Sequence, residues 1–242
     1  MCATASGDFS AKLWDGITGQ ALCDLPHKHI VKTCVFSPNS QHLATGGKEA
    51  VLRIYDLQRC LLKDKPDTHP LVEIKQEAPI SKCVFLNDTR VLVALVNGKC
   101  CIWNMTDKKL LKEIVVSESM EEIRDIEICA TADGTKVLSV AAGEHVYFYD
   151  LADHSLLHSY KMPIHFREEG GVSLHPSGDR FVAGGSDLWV RVFNFKSGEE
   201  LECNKGHHGP IRCVRYSPDG ASYATGSEDG TIRLWQTFPK EE

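Results

Sequence analysis

A short motif, an apolar residue, an aromatic and then an acid or amide, returns six times along the 242-residue chain. It reads Leu13-Trp14-Asp15, Ile54-Tyr55-Asp56, Ile102-Trp103-Asn104, Phe148-Tyr149-Asp150, Val192-Phe193-Asn194 and Leu234-Trp235-Gln236. The aromatic anchors lie 41, 48, 46, 44 and 42 residues apart. A period of about 40–45 residues marks a unit that stacks on copies of itself, and it fits one four-stranded propeller blade. Each anchor sits in an alternating segment such as Thr231-Ile232-Arg233-Leu234-Trp235. Ahead of it come a small-residue strand and a tight turn, as in Ala224-Thr225-Gly226-Ser227-Glu228-Asp229-Gly230, where Gly and Asp supply the turn geometry. Earlier still, an apolar strand ends at Ser37-Pro38, His175-Pro176 or Ser217-Pro218. With an outer strand such as Gln20 to Leu25, each repeat makes one antiparallel sheet. No stretch reads as a long amphipathic helix, so the expected class is all-β.

The rest of the chain narrows the role. A net charge of −6 and the lack of any basic tract argue against nucleic-acid binding, which draws on excess Lys and Arg to neutralise phosphates. The opening Met1-Cys2-Ala3-Thr4 is unlike a secretory leader, and no apolar run reaches the ~20 residues of a membrane span. A soluble, intracellular protein is expected. Ten cysteines, spread from Cys2 to Cys213 without a C-x-x-C pair, are then free thiols. Cys34, Cys83 and Cys213 fall in apolar strand-like stretches as small hydrophobes, and the Asn-x-Thr sequons at Asn87 and Asn104 are chance matches. His27-Lys28-His29 with Cys23 lacks a second ligand group for zinc, and adjacent Cys100 and Cys101 point to opposite faces of a strand. Neither metal nor cofactor is expected. There is no G-x-S-x-G elbow, phosphate loop or H-E-x-x-H, and Glu121-Glu122 and Glu199-Glu200 read as solvated loops. The chain is expected not to be an enzyme.

The last repeat carries His207, Thr225, Asp229 and Trp235 in order. The first carries Thr4, Asp8 and Trp14 at the same offsets, and the second His27, Thr45 and Tyr55, with Glu49 where the Asp would stand. Asn97, Gly143 and Ala183 replace members in the middle repeats. This pattern resembles the WD40 family. The resemblance implies that these residues form buried hydrogen-bonded tetrads holding the blades together, since every buried donor and acceptor needs a partner. A catalytic His-Asp-Ser reading is set aside in its favour.

The fold expected on this basis is an all-β WD40 β-propeller of four-stranded antiparallel blades in one domain over residues 1–238. Its divisions are a partial blade at 1–26, blades at about 27–75, 76–117, 118–161 and 162–205, and a partial blade at 206–238. Residues 239–242 form a tail. Seven blades close a ring in this family, so four full and two partial blades lead to the expectation of a truncated chain, in preference to a ring completed by a second chain. Open strand edges would be aggregation hazards.

Gly7 to Asp15, His27 to Thr33, Leu52 to Leu57, Ser197 to Glu202 and Gly206 to Thr237 are similar to one receptor-associated branch of the family. Between Leu61 and Met162 the similarity lies mostly in pattern. It implies a cytoplasmic and nuclear adaptor. The implied partners are components of the survival-of-motor-neuron assembly, which loads Sm proteins onto spliceosomal RNA, and proteins of TGF-β receptor signalling. No direct contact with nucleic acid or membrane is implied. The alternative is the propeller subunit of translation initiation factor three, which the block from Ser197 to Thr237 disfavours. By the family pattern, partners meet residues flanking the inner-strand start and just before the turn acid. Here these are Ile30, Lys32, Lys48, Pro79, Glu122, Arg124, Pro210, Arg212 and Glu228, with Lys32 and Arg212 foremost. One departure stands out. Arg167-Glu168-Glu169-Gly170-Gly171 places a charged pair and two glycines where an apolar inner strand should start, so a bulge or a loosened strand is expected there, the alternative being a divergent contact surface beside the channel.

Overall fold

The computed structural model describes residues 1–62, 66–116, 120–167 and 170–237. The expectations placed on Glu168, Glu169 and the tail at 239–242 lie outside them. Among the described residues the chain forms strands in antiparallel sheets and one four-residue helix, in two compact units, Met1–Glu122 and Ile123–Glu242. No helix among them is long and apolar enough to cross a membrane.

The first unit holds three sheets. One consists of β1 (Cys2–Ala5), β2 (Ser10–Trp14) and β3 (Ala21–Pro26). The second is β4 (Val31–Phe36), β5 (His42–Gly47), β6 (Val51–Asp56) and β7 (Val72–Lys75), with α1 (Leu57–Cys60) capped by the Asp56 carboxylate between its last two strands. The third is β8 (Ile80–Asn87), β9 (Arg90–Leu95), β10 (Lys99–Asn104) and β11 (Lys109–Val115). In each, strands adjacent in sequence are adjacent in space. The short turns explain this meander. Asn87 Oδ1 accepts the backbone N–H groups of Thr89 and Arg90, and Asn104 Oδ1 accepts that of Thr106. Both sequons are thus Asx turns, in which the side chain imitates a backbone turn.

The second unit begins with β12 (Ile123–Ala130), β13 (Lys136–Asp150) and β14 (Leu156–Phe166). As a straight strand β13 would span about 50 Å. Yet the Leu151 N–H reaches the Lys136 carbonyl at 2.9 Å, so the run doubles back on itself. Gly143, at φ 58°, lies at the fold; residues before it pair with β12 and residues after it with β14. The sheet is therefore a four-stranded one whose middle hairpin has almost no loop. There follow β15 (Gly171–Leu174), β16 (Arg180–Gly184), β17 (Trp189–Asn194) and β18 (Glu200–Lys205), then β19 (Ile211–Tyr216), β20 (Ser222–Ser227) and β21 (Ile232–Gln236).

Within each unit the core is the set of layers between neighbouring sheets. In the first, Leu13, Leu25, Val31, Leu43 and Tyr55 form one layer, and Ile54, Val72, Ile80, Phe85 and Val93 another. In the second, Phe181 stacks against Phe193 at 5.1 Å and packs 5.0 Å from Phe148, above Phe166 and Leu174. Central strands such as β5 and β16 are buried on both faces because a sheet lies on each side. The cysteines divide: Cys83 is buried and Cys34 half-buried, but Cys213 is exposed. The expectation for Cys213 is thereby corrected. Its neighbour Val214 takes the core-facing position, and alternation turns Cys213 the other way.

The inner strand with two glycines shows no bulge over its described part. β15 pairs with β16 in continuous register from Gly171 opposite Gly184 to Leu174 opposite Phe181, although it is only four residues long. Both glycines have steric reasons. A Cβ on Gly170, at φ 149°, would lie 2.6 Å from the Phe166 ring, and one on Gly171 would lie 2.8 Å from the Asp125 carboxylate.

Candidate functional site

In the last sheet, the Trp235 indole N–H donates to Thr225 Oγ1 at 2.8 Å, and the His207 Nε2 lies 2.8 Å from the same oxygen. His207 Nδ1 lies 3.0 Å from Asp229 Oδ2, which also accepts the His208 backbone N–H. A carboxylate acceptor at Nδ1 assigns the ring proton there, so the Thr225 hydroxyl donates to Nε2. Trp235, Thr225 and His207 then each donate once along the line, which ends on the Asp229 carboxylate as acceptor. The Thr231 hydroxyl, the His208 N–H and the His207 ring hold the Asp229 carboxyl far below the usual range. His207 and Thr225 are 3% and 1% exposed, so no substrate reaches the hydroxyl. The relay binds one sheet together and leaves no nucleophile.

The second sheet solves the same problem differently. His27 Nε2 meets Thr45 Oγ1 at 2.9 Å, but its Nδ1 turns to the Leu25 carbonyl instead of a carboxylate. Burial pushes the His27 pKa down. Glu49 accepts the Lys28 backbone N–H, as Asp229 accepts that of His208, and takes Arg53 in a two-point ion pair at 2.7 and 2.8 Å. The guanidinium holds the Glu49 carboxyl down to about 2. Tyr55 fills the Trp position, its ring 6.1 Å from His27. In the first sheet, the Trp14 indole N–H donates to Thr4 Oγ1 at 2.8 Å, and Asp8 binds the Ser10 N–H and hydroxyl. Thr225→Val is expected to strand two partners in a buried place and cost about 2 kcal/mol, whereas Thr225→Ser keeps most of the stability. Urea unfolding followed by tryptophan emission checks this; equal losses in both variants would mean the hydroxyl is not the link.

The contact candidates share one backbone device. Val31 pairs with Gly47 and Thr33 with Gly46, so Lys32 is an extra residue in the β4 ladder. Arg124 in β12 and Arg212 in β19 are extra in the same way, as is Ser81 in β8. Such bulges lift one side chain out of the ladder and re-aim it. The backbone N–H of Lys48, Val96 and Glu228 donates to the carbonyl of Ile30, Pro79 and Pro210 respectively, which closes each sheet beside its bulge. The structure thus brings together Ile30, Lys32 and Lys48 in the first unit, and Pro210, Arg212 and Glu228 in the second, where Arg212 and Glu228 form an ion pair. Pro79, Glu122 and Arg124 are half-buried. Lys32 and Lys48 are exposed. Among the described residues no group of three or more His, Cys, Asp or Glu side chains could hold a metal ion.

Sequence reasoning passed over one cluster in the second unit. Arg215 of β19 makes a two-point pair with Asp125 of β12 at 2.6 and 2.7 Å, and lies 3.5 Å from Glu127. Asp125 is nearly sealed from solvent, and burial pushes the Glu127 carboxyl up to about 7. The Cβ-free space at Gly171 on the intervening β15 is where the Asp125 carboxylate passes. The available signal was two acids, Asp125 and Glu127, in a strand that should be apolar.

The comparisons with known proteins agree with this geometry. The model for the WD domain, G-beta repeat, matches residues 19–56 and 198–236. The mouse serine-threonine kinase receptor-associated protein is 40% identical over 238 residues, 97% of this chain and 63% of its own length. The Dictyostelium discoideum protein of that name is 39% identical over 239 residues, covering 96% of this chain and 75% of the relative. Eukaryotic translation initiation factor 3 subunit I of Drosophila willistoni is 29% identical over 258 residues, covering 97% and 77%. This chain therefore spans about 63% of the length of the mammalian relative it matches. Sharing some two fifths of its residues with such proteins across nearly all of its own length, the chain belongs to the WD40-repeat family, in the group of the serine-threonine kinase receptor-associated proteins.

Proposed function

We propose that this chain is a non-catalytic adaptor that binds other proteins through the bulged ends of its inner strands. The observation that carries this reading is the division of labour in the sheets. His207, Thr225, His27 and Thr45 are engaged with one another in buried or half-buried links, while Lys32 and Arg212 sit on bulges at the strand starts. Displayed side chains on a rigid scaffold are the usual means of recognition. The relatives' name points to a serine-threonine kinase receptor as one associated protein, and the resemblance points further, to TGF-β receptor signalling and to the survival-of-motor-neuron assembly that serves splicing. Residence in cytoplasm and nucleus goes with both.

Affinity purification of the endogenous protein tests the proposal. Co-purification of Sm-assembly components, lost when Lys32 and Arg212 are both replaced by Glu, is the expected result. Recovery of initiation-factor subunits instead would overturn it in favour of the translation reading, which rests on weaker similarity.

A further inference from the structure

We infer that the corner of the first unit built by Phe9, His29 and Ile30, with Lys28, Lys32 and Lys48 around it, docks an acidic protein segment carrying a large aromatic or apolar side chain. The inference rests on the adaptor reading and names the chemistry of one partner.

The backbone assembles this corner. The Val31 N–H donates to the Ser6 carbonyl and the His27 N–H to the Phe9 carbonyl, which sets the first sheet's turn beside the start of β4. Phe9 and His29 then meet with ring centroids 5.4 Å apart. Phe9 remains 46% exposed, a large ring partly in water.

Its backbone makes the exposure more telling. Phe9 follows the turn acid Asp8 and has φ 72°. The residues at the same place in other sheets are Gly98 and Gly230, both at φ 78°, and Ala50 at φ 58°. A left-handed turn position favours glycine, and a bulky residue there is an outlier. Phe9 thus occupies a strained site, leaves nearly half of its surface in water, and contributes nothing to the tetrad. A role in recognition accounts for both features.

Charge specifies the partner. Lys28, Lys32 and Lys48 are exposed, and none takes part in an ion pair among the described residues. Of the nearby acids, Glu49 and Glu73 share Arg53, and Asp8 keeps its charge while it accepts from Ser10. In the last sheet the positions of Lys32 and Lys48 are taken by Arg212 and Glu228, which neutralise each other. Lys28, Lys32, Lys48 and Arg53 outnumber Glu49, Glu73 and Asp8 by a single charge, so the corner carries a small positive excess, concentrated on three exposed lysines, in a chain of net charge −6. Three lysines against that net charge make too small a basic field for nucleic acid, which needs many phosphates neutralised at once. An acidic peptide with one ring to set against Phe9 and Ile30 satisfies charge and apolar surface together.

The test uses the full chain and a fluorescein-labelled peptide of glutamates around a single tryptophan, read by anisotropy. Saturable, salt-sensitive binding is expected, weakened about tenfold by Phe9→Gly and about tenfold by Lys32→Glu. Phe9→Gly relieves the turn, so its melting temperature should hold or rise while binding falls, which separates lost recognition from lost folding. Equal binding by these variants and the unaltered chain overturns the inference. So does equal affinity for the same peptide with lysines in place of glutamates. An oligonucleotide that binds as tightly and shows the same sensitivity to both variants overturns the peptide partner in favour of RNA. If Phe9→Gly and Lys32→Glu leave the endogenous complex intact, this corner is excluded while the adaptor reading stands; an unaltered protein with no protein partners removes the adaptor reading itself.

Discussion

Arg215→Ala is expected to lower the stability of the chain by about 3 kcal/mol, seen as a drop in urea midpoint with an unchanged slope. The guanidinium makes a two-point pair with Asp125 and a bond to its own strand's Val214 carbonyl. Asp125 keeps 4% side-chain exposure, so removal of Arg215 leaves a carboxylate buried without its counter-charge. Breaking such a pair from one side costs about 3–5 kcal/mol. The lower end applies because the Arg215 side chain itself keeps 40% exposure, so water already screens part of the attraction. Asp125→Asn in the Arg215→Ala background should recover part of the loss, since the charge left behind is then gone. A double variant no more stable than Arg215→Ala alone would show that lost packing, and not the stranded carboxylate, sets the cost.

Glu127→Gln is expected to act in the opposite direction and only in part of the pH range. Burial pushes the Glu127 carboxyl from its ordinary 4.5 up to about 7, against the opposing pull of Arg215. The groups facing it are Asp125 and Cys129 on its own strand and Arg215 on β19; the Ser173 hydroxyl on β15 is a hydrogen-bond partner. The folded state therefore holds this proton more tightly than the unfolded chain. Its stabilising contribution is complete below pH 4.5 and is lost as the pH rises through about 7. Across that interval the loss amounts to about 3 kcal/mol. Glutamine has no proton to lose, so the variant should match the unaltered chain at pH 5 and exceed it at pH 8. Thermal melts of both proteins across this range measure the difference. A gap that stays flat with pH would mean that Glu127 does not titrate between them.

The repeat was legible in the sequence because its signals are local. An aromatic anchor, an alternating strand and a glycine turn can each be read without knowing what packs against them, and Trp14, Tyr55 and Trp235 duly stand beside Thr4, Thr45 and Thr225. The bulges were not legible, because an extra residue is extra only by comparison with the strand opposite. The family pattern points to Lys32 and Arg212, but the register shift that sets them apart is visible only in the paired strands. The Asp125–Arg215 pair lay further out of reach, its members on strands 90 residues apart. The two glycines flagged as a break in β15 were half of the answer: Gly171 gives the space that the Asp125 carboxylate uses. Phe9 carries no such signal, since a positive φ leaves no mark on composition when the residue is not glycine.

The inserted residue at the head of β4, β8, β12 and β19 has a consequence for how such a scaffold can change over time. A side chain within the ladder answers to its cross-strand neighbour and to the sheet stacked above it, so altering it disturbs the fold. Lys32, looped out of register and exposed, answers to neither, whereas Ser81 at the same place in β8 is buried and donates to the Ala94 carbonyl of the strand opposite. Lysine, serine and arginine already occupy equivalent places in one chain over closely similar hydrogen bonding. New partners can therefore be acquired by substitution at an exposed insertion such as Lys32 with little disturbance to the folding of the repeat.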